Sequence, residues 1–409
     1  MTALQSVRAT GADAYKTTDS AEPSRLLVLC LAIGAGSAVA SIYYAQPVLN
    51  LIGGELGIGA GSTGLIPTLT QIGYALGILF LLPLGDRFDR RLLIVIKSLA
   101  LALVLGVSSF SQNLDQLLIT SLLIGILATI AQDIVPAAAI LSPEKSHGKT
   151  IGTVMTGLLT GILLSRTVSG VIGEYFGWRV VMQLAAVEIL IVGLMLRKML
   201  PRFTTHSDLG YFALLKSLMH LWAQHPTLRR AAIAQALLAV AFSAFWSTLA
   251  LILADRYGYG SDVAGAFGLL GAAGALMARY AGALSDKHGP HFVTRIGAAL
   301  VVVFFALMGT VSVLPITGQL VVLAIATIGF DLGFQTSLVA HQSLVYRIAP
   351  EARSRLNAIL FSVIFIGMAA GSTIGTQFLS FFGFYGVVGL CVLAGSASLL
   401  IRLYDGRAR

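Results

Sequence analysis

Leu84-Gly85-Asp86-Arg87-Phe88-Asp89-Arg90-Arg91 stands between two long apolar runs, and Leu284-Ser285-Asp286-Lys287-His288-Gly289-Pro290-His291 stands between two more, 200 residues further on. A polar turn that recurs at half the length of a 409-residue chain marks two similar halves in tandem. Other breaks repeat at a similar offset. Pro143 to Lys149 precedes a fifth run and Pro350 to Arg355 an eleventh, while Gly177-Trp178 and Gly383-Phe384 follow them. The duplication therefore spans the halves and is not confined to one loop.

The runs are of membrane length. Only 11% of residues are charged and 56% are hydrophobic, against about 25% charged in an ordinary soluble domain. A spanning helix needs roughly 20 mostly apolar residues. About twelve such runs follow one another, centred near Gly36, Tyr74, Ala102, Ala128, Gly161 and Ile189, then Phe242, Gly271, Val303, Gly333, Gly367 and Ala394. A soluble helical protein would alternate apolar and charged faces along these helices. The expected fold is an all-α membrane protein, twelve transmembrane helices in two pseudo-symmetric six-helix bundles. Its parts are a tail over 1–25, a bundle over 26–200, a linker with an amphipathic helix over 201–230, a second bundle over 231–403 and a tail over 404–409.

A net charge of +9 invites a nucleic-acid reading, but its distribution excludes it. With the amino terminus in the cytosol, the even-numbered loops and both tails carry nearly all Lys and Arg, Lys97 among them. The other side holds Arg179 and Arg256, and Arg166 falls inside the fifth run. By the positive-inside rule both termini are cytoplasmic. Cys30 and Cys391 lie in apolar runs and read as two buried thiols. No phosphate-binding loop, metal-ligand cluster or Ser-His-Asp set stands outside the apolar runs, so neither an enzyme nor a cofactor is expected.

On these residues the chain resembles the major facilitator superfamily, whose loop signature joins the second and third helices. The first copy keeps Leu84, Asp86, Arg87, Arg90 and Arg91, with Leu82 and Asp89 where glycines are usual. The second keeps Gly282, Leu284, Asp286, Lys287 and Gly289, with Pro290 and His291 in place of bases. Tyr43-Tyr44-Ala45-Gln46-Pro47 and Gly157 to Arg166 are similar to the drug:proton antiporters of the bacterial arabinose-efflux and purine-nucleoside-efflux branch. Two departures stand. Ser121 and Ile124 precede Gly125 where that branch has Arg and Gln, and Arg166 follows an apolar stretch where it has Gly-Pro.

The resemblance implies export of a small molecule across the bacterial cytoplasmic membrane by alternating access and proton antiport, in a monomer whose partners are substrate, protons and lipid. Uptake or facilitated diffusion, or a transporter-like sensor, are the alternatives. It also implies gating by Asp86, Arg87, Arg90 and Arg91, with Asp86 facing Ser354 to Asn357, and a mirror role for Asp286 and Lys287 near Lys149 and Thr150. A solvated loop acid is the plainer reading of Asp286.

Ionisable residues at mid-membrane cost at least about 2.5–3.5 kcal/mol, so Asp133, Arg166, Glu188 and Asp331 are candidates for proton coupling. Structural pairing, of Arg166 with Glu188 or of Asp133 with a neighbouring helix, is the competing assignment. Asp133 follows Gln132, and Asp331 and Gln335 are four apart on one helical face. Tyr43, Tyr44, Gln46, Gln132, Gln235, Phe242, Trp246 and Gln335 are candidates for a cavity that takes an amphipathic solute. The two tyrosines also suit an interfacial belt.

Overall fold

The computed structural model describes residues 22–143, 146–203, 210–349 and 352–405, and the side chains of these except Asp86, 272–279 and Asp405. Most of the first tail and the residues 404–409 beyond Asp405 therefore lie outside the described residues, as does the linker segment 204–209.

The apolar runs all form helices. In the first half these are α1 (Arg25–Ala40), α2 (Leu49–Leu56), α3 (Ala60–Thr63), α4 (Leu65–Phe80), α5 (Arg90–Ser108), α6 (Leu114–Leu127), α7 (Ile130–Ile140), α8 (His147–Phe176) and α9 (Trp178–Met199). The linker carries α10 (Tyr211–Gln224). The second half has α11 (Pro226–Tyr257), α12 (Ser261–Leu270), α13 (Ala272–His288), α14 (Pro290–Met308), α15 (Ile316–Tyr346) and α16 (Arg353–Asp405). Among the described residues nine helical stretches are long and apolar enough to cross a membrane. One of them, Arg353–Tyr404, is bent at Gly383, and two shorter apolar helices are Arg25–Ala40 and Ser261–Leu270.

Local chemistry sets the ends. Asn113 accepts a hydrogen bond from Gln116 N at 3.0 Å while Gln116 Oε1 accepts from Gln112 N at 2.9 Å, a reciprocal arrangement that satisfies donors the helix leaves open. Pro226 and Pro290 open their helices, where a missing N–H costs nothing. Gly177 (φ +86°) and Gly383 (φ +63°) sit in the two matched turns the sequence pairs, and only glycine adopts that backbone without strain.

The packing plan repeats as well. α1 lies on α8 as α11 lies on the first part of α16, α4 on α6 as α13 on α15, and α5 on α9 as α14 on α16. Bare backbones make the first of these contacts. A methyl on Gly161 would stand 2.3 Å from Gly36 O, and one on Gly371 would stand 2.2 Å from Val240 O. The sequence leaves open whether such glycine rows are packing surfaces or sliding faces between halves. Gly157, Gly161, Gly367, Gly371 and Gly375 join helices within a half, so they are packing. Gly170, Gly265 and Gly268 do lie between the halves.

The halves meet unevenly. α8 touches the second half over its last turns. Gly268 packs against Arg166, Thr167 Oγ1 donates to Gly265 O at 3.0 Å, and Ser261 N donates to Glu174 at 2.6 Å. Toward its other end Gly152 and Thr153 are exposed, with nothing near Gly152. α4 and α16 stay together along their length through Ser372 to Gly64 O, Thr68 with Thr373, and the Tyr74 and Phe365 rings. The amphipathic linker helix packs on the helices of the bundle. Leu214, Leu218 and Leu221 are buried, Tyr211 donates to Phe80 O at 3.0 Å, and α10 packs against α11 and α16, so it bridges both halves.

Candidate functional site

At the junction of the halves, Arg166 of α8 is 2% exposed. Its guanidinium lies 4.2 Å from the Trp246 ring centre, 4.6 Å from Tyr43 and 5.9 Å from Phe242. A cation over aromatic faces is held by the ring quadrupoles, at about 2 kcal/mol or more once water is excluded. Arg166 Nε donates to Gln46 Oε1 at 3.1 Å. Asp331 of α15 is buried nearby in the second half, where a methyl on Gly271 would stand 3.7 Å from its Oδ2 and 3.4 Å from Leu163 of α8, and its charge is attracted to that of Arg166 without a direct ion pair among the described residues. Arg166 Nη2, Gln46 Nε2 and Trp246 Nε1 are buried without a hydrogen-bond partner among the described residues. The second half supplies an aromatic wall, with Phe242 stacked on Phe334 at 4.5 Å and Phe330 stacked on Phe305 at 4.5 Å.

The structure thus brings together Arg166, Asp331, Tyr43, Gln46, Phe242 and Trp246, and leaves the other candidates elsewhere. Arg166 and Glu188 do not pair. Glu188 instead accepts from Ser37 Oγ at 2.6 Å and from Tyr44 OH at 2.7 Å, on another face of the first half. The reason is helical phase: Arg166 points at the second half, whereas Glu188 of α9 meets the outer side of α1. Tyr44 is buried in that contact, away from its neighbour Tyr43. Gln235 and His341 bond each other at 2.9 Å, and Gln235 also donates to Phe334 O at 3.4 Å. Gln335 is half-buried, one turn from Asp331 on α15.

Asp133 is buried against Lys97 Nζ at 2.6 Å. Lys97 belongs to α5 and not to the loop in which the charge count places it; burial of its side chain beside a carboxylate on a neighbouring helix moves it inside. Gln132 Nε2 donates to Tyr74 OH at 3.2 Å. The first loop closes on this pair, since a methyl on Gly85 would stand 3.1 Å from Arg90 Nη1 and 3.3 Å from Asp133 Oδ1. Asp89 caps α5, accepting from Arg91 N at 2.9 Å and Phe203 N at 3.1 Å, and Arg91 reaches Arg197 O at 2.5 Å. Arg87 is exposed. The Asp86 side chain lies outside the described residues. Asp286 is exposed, 3.9 Å from Arg347 of its own half, and not beside Lys149 or Thr150; Lys287 is exposed too.

Gln71, which the sequence reading passed over, donates to Ser243 Oγ at 3.1 Å across the halves. Arg402, which the charge count places among the cytoplasmic bases, is fully buried beside Thr294 and His291. Gln71 and Lys97 each interrupt an apolar run, and that interruption was the available signal.

A family model described as Major Facilitator Superfamily matches residues 31–347. An Escherichia coli K12 protein described as a putative uncharacterized transporter, YgaY, is 39% identical over 95% of this chain and 96% of its own length. The probable transporter SCO4007 of Streptomyces coelicolor is 32% identical over 91% of this chain and 84% of its own. Among solved structures the nucleoside transporter NupG aligns with a TM-score of 0.76 at 12% identity, over 92% of this chain and 98% of that one. A bacterial homologue of the human lysosomal transporter Spinster, in its inward-facing occupied form, aligns at 0.74 and 15% identity, over 93% and 96%. At those identities the likeness is one of fold.

Proposed function

Since the chain belongs to the Major Facilitator Superfamily and is a multi-pass transporter rather than an enzyme, we propose that it exports a small molecule across the bacterial cytoplasmic membrane by proton antiport. In this reading there are twelve crossings. α1 with α2, and α12 with α13, each make one, and the Gly383 bend divides Arg353–Tyr404 into two. The crossings form two six-helix bundles over 26–200 and 231–403, with linker and termini on the cytoplasmic side. The end of α8 that is sealed against α12 is then the outer end, and the other end, where Gly152 is exposed with nothing near it, lies on the cytoplasmic side.

The observation that carries the coupling assignment is the contrast between two buried acids. Asp133 is neutralised at 2.6 Å by Lys97 within one half. Asp331 lies in the opposite half from Arg166, its Oδ2 close to Gly271 where Leu163 of α8 packs, so opening the halves separates the two charges. A carboxylate that keeps its counter-charge in one state and loses it in the other takes up a proton in the second, because an isolated charge at low dielectric favours the neutral form. Tyr43, Phe242 and Trp246 form apolar walls for the solute, and Gln46 supplies a polar contact. In proteoliposomes, Asp331→Asn should abolish substrate-dependent proton movement while the protein stays folded. Coupling that survives in this variant overturns the assignment.

A further inference from the structure

Within the first half, α1, α8 and α9 line a cavity of about 680 Å³ to which no described residue of the second half contributes. Its walls are apolar and face outward: Leu29 is 52% exposed, Ile33 45%, Leu164 47% and Val168 46%. Its floor is the Glu188 carboxylate, only half-buried. Glu188 lies ten residues into α9 from Trp178 and eleven from Met199, which puts it about 15 Å from either helix end. The groove therefore opens toward hydrocarbon with an acid at its middle.

Such a carboxylate needs compensation. Ser37 Oγ donates to Oε1 at 2.6 Å and Tyr44 OH to Oε2 at 2.7 Å. Both donors are themselves buried, and they fix the group with one bond to each oxygen. An ionised carboxylate accepts about four, so both oxygens keep capacity toward the groove. Among the described residues no Lys, Arg or His lines this cavity. The hydroxyls of Thr153, Thr156 and Thr160 run along the α8 wall and line the cavity between the helix start and the acid.

We propose that this groove binds an amphiphilic amine drawn from the bilayer, its ammonium on Glu188 and its apolar body along Leu29, Ile33, Leu164 and Val168. The cation supplies the counter-charge that the protein withholds, and its N–H donors fill the free positions on the carboxylate. A phospholipid ammonium fits less well. Its phosphate would be carried to mid-bilayer depth, where the groove offers no base to receive it. The occupant is thus a monocation without an accompanying anion.

The test uses the full-length protein in phosphatidylcholine nanodiscs, with dodecylamine carrying a diazirine in its chain as the photoprobe and mass spectrometry of the labelled peptides. Saturable adducts on α1 and α8 at Leu29, Ile33, Leu164 or Val168 are expected, displaced by dodecylamine and not by dodecanol. Glu188→Gln, which preserves shape, should reduce labelling at least tenfold. Leu164→Trp, which fills the groove without touching the acid, should block it independently. Wild-type labelling of Glu188→Gln overturns the proposal, as do adducts confined to Tyr43 and Trp246. Displacement by phosphatidylethanolamine as effective as that by dodecylamine overturns it too, by making a lipid headgroup the occupant.

Discussion

Replacing Asp133 by Asn removes one member of an ion pair whose two side chains are 7% and 1% exposed, with Lys97 Nζ 2.6 Å from Oδ2. The loss is not one of attraction alone, since it leaves Lys97 charged in a place from which water is excluded. Removing one partner of a buried pair typically costs about 3–5 kcal/mol, much of it the desolvation of the group left behind. At about 1.4 kcal/mol per tenfold, that is about 10²- to 4 × 10³-fold in the ratio of folded to unfolded protein. Lys97→Met should cost a similar amount, because it strands the carboxylate beside Gly85. The double variant Asp133→Asn with Lys97→Met removes both charges and should recover most of the loss, so the two effects should be strongly non-additive. Fluorescence-monitored thermal unfolding of the four proteins in one detergent is the assay. Single variants with the wild-type unfolding temperature would refute the structural assignment. A double variant no better than the worse single would refute it as well. If Asp133→Asn stays fully stable and loses proton coupling, Asp133 and not Asp331 is the titrating group.

Gly371→Leu should prevent the approach of α11 to α16, since even a methyl would stand 2.2 Å from Val240 O; overpacking of this kind costs about 1–3 kcal/mol and should show as a lowered unfolding temperature. Trp246→Ala opens one aromatic face over Arg166, 4.2 Å away, and should weaken substrate-dependent transport several-fold with little change in folding, read in the proteoliposome flux assay. Cysteines at Glu174 and Ser261, joined by a short bis-methanethiosulfonate cross-linker, tie the sealed ends of the halves; transport should stop on cross-linking and return when the linker's disulfides are reduced.

Much of the fold is legible in the sequence because lipid imposes a simple rule: a span must be long, apolar and free of unpaired charge. The repeated Asp86 and Asp286 loops, and the paired Gly177 and Gly383 turns, mark the halves before any coordinate is known. Burial depth along a helix is less legible. Lys97 reads as a loop base because Arg90 and Arg91 stand near it, yet seven residues of helix carry it down to Asp133. Helix phase is harder still. Tyr43 and Tyr44 are adjacent, and one faces Arg166 while the other holds Glu188. Pairing between Arg166 and Glu188 is plausible by depth and fails by direction, which a charge count over single spans does not contain. The role proposed for Asp331 rests on its position near the junction of the halves, a relation between distant segments that no local pattern encodes.

Spin labels at Glu174 and Ser261 report the sealed ends of α8 and α12, and a second pair at Thr153 and Lys287 reports the opposite ends of α8 and α13. Double electron–electron resonance on both pairs in nanodiscs, at acidic and alkaline pH and in Asp331→Asn, measures whether the halves rock. Two populations are expected, in which the first distance lengthens as the second shortens, with their balance shifted by pH and by the substitution. A single unchanging distance for each pair, or two distances that rise and fall together, would contradict a shared interior opened alternately to either side.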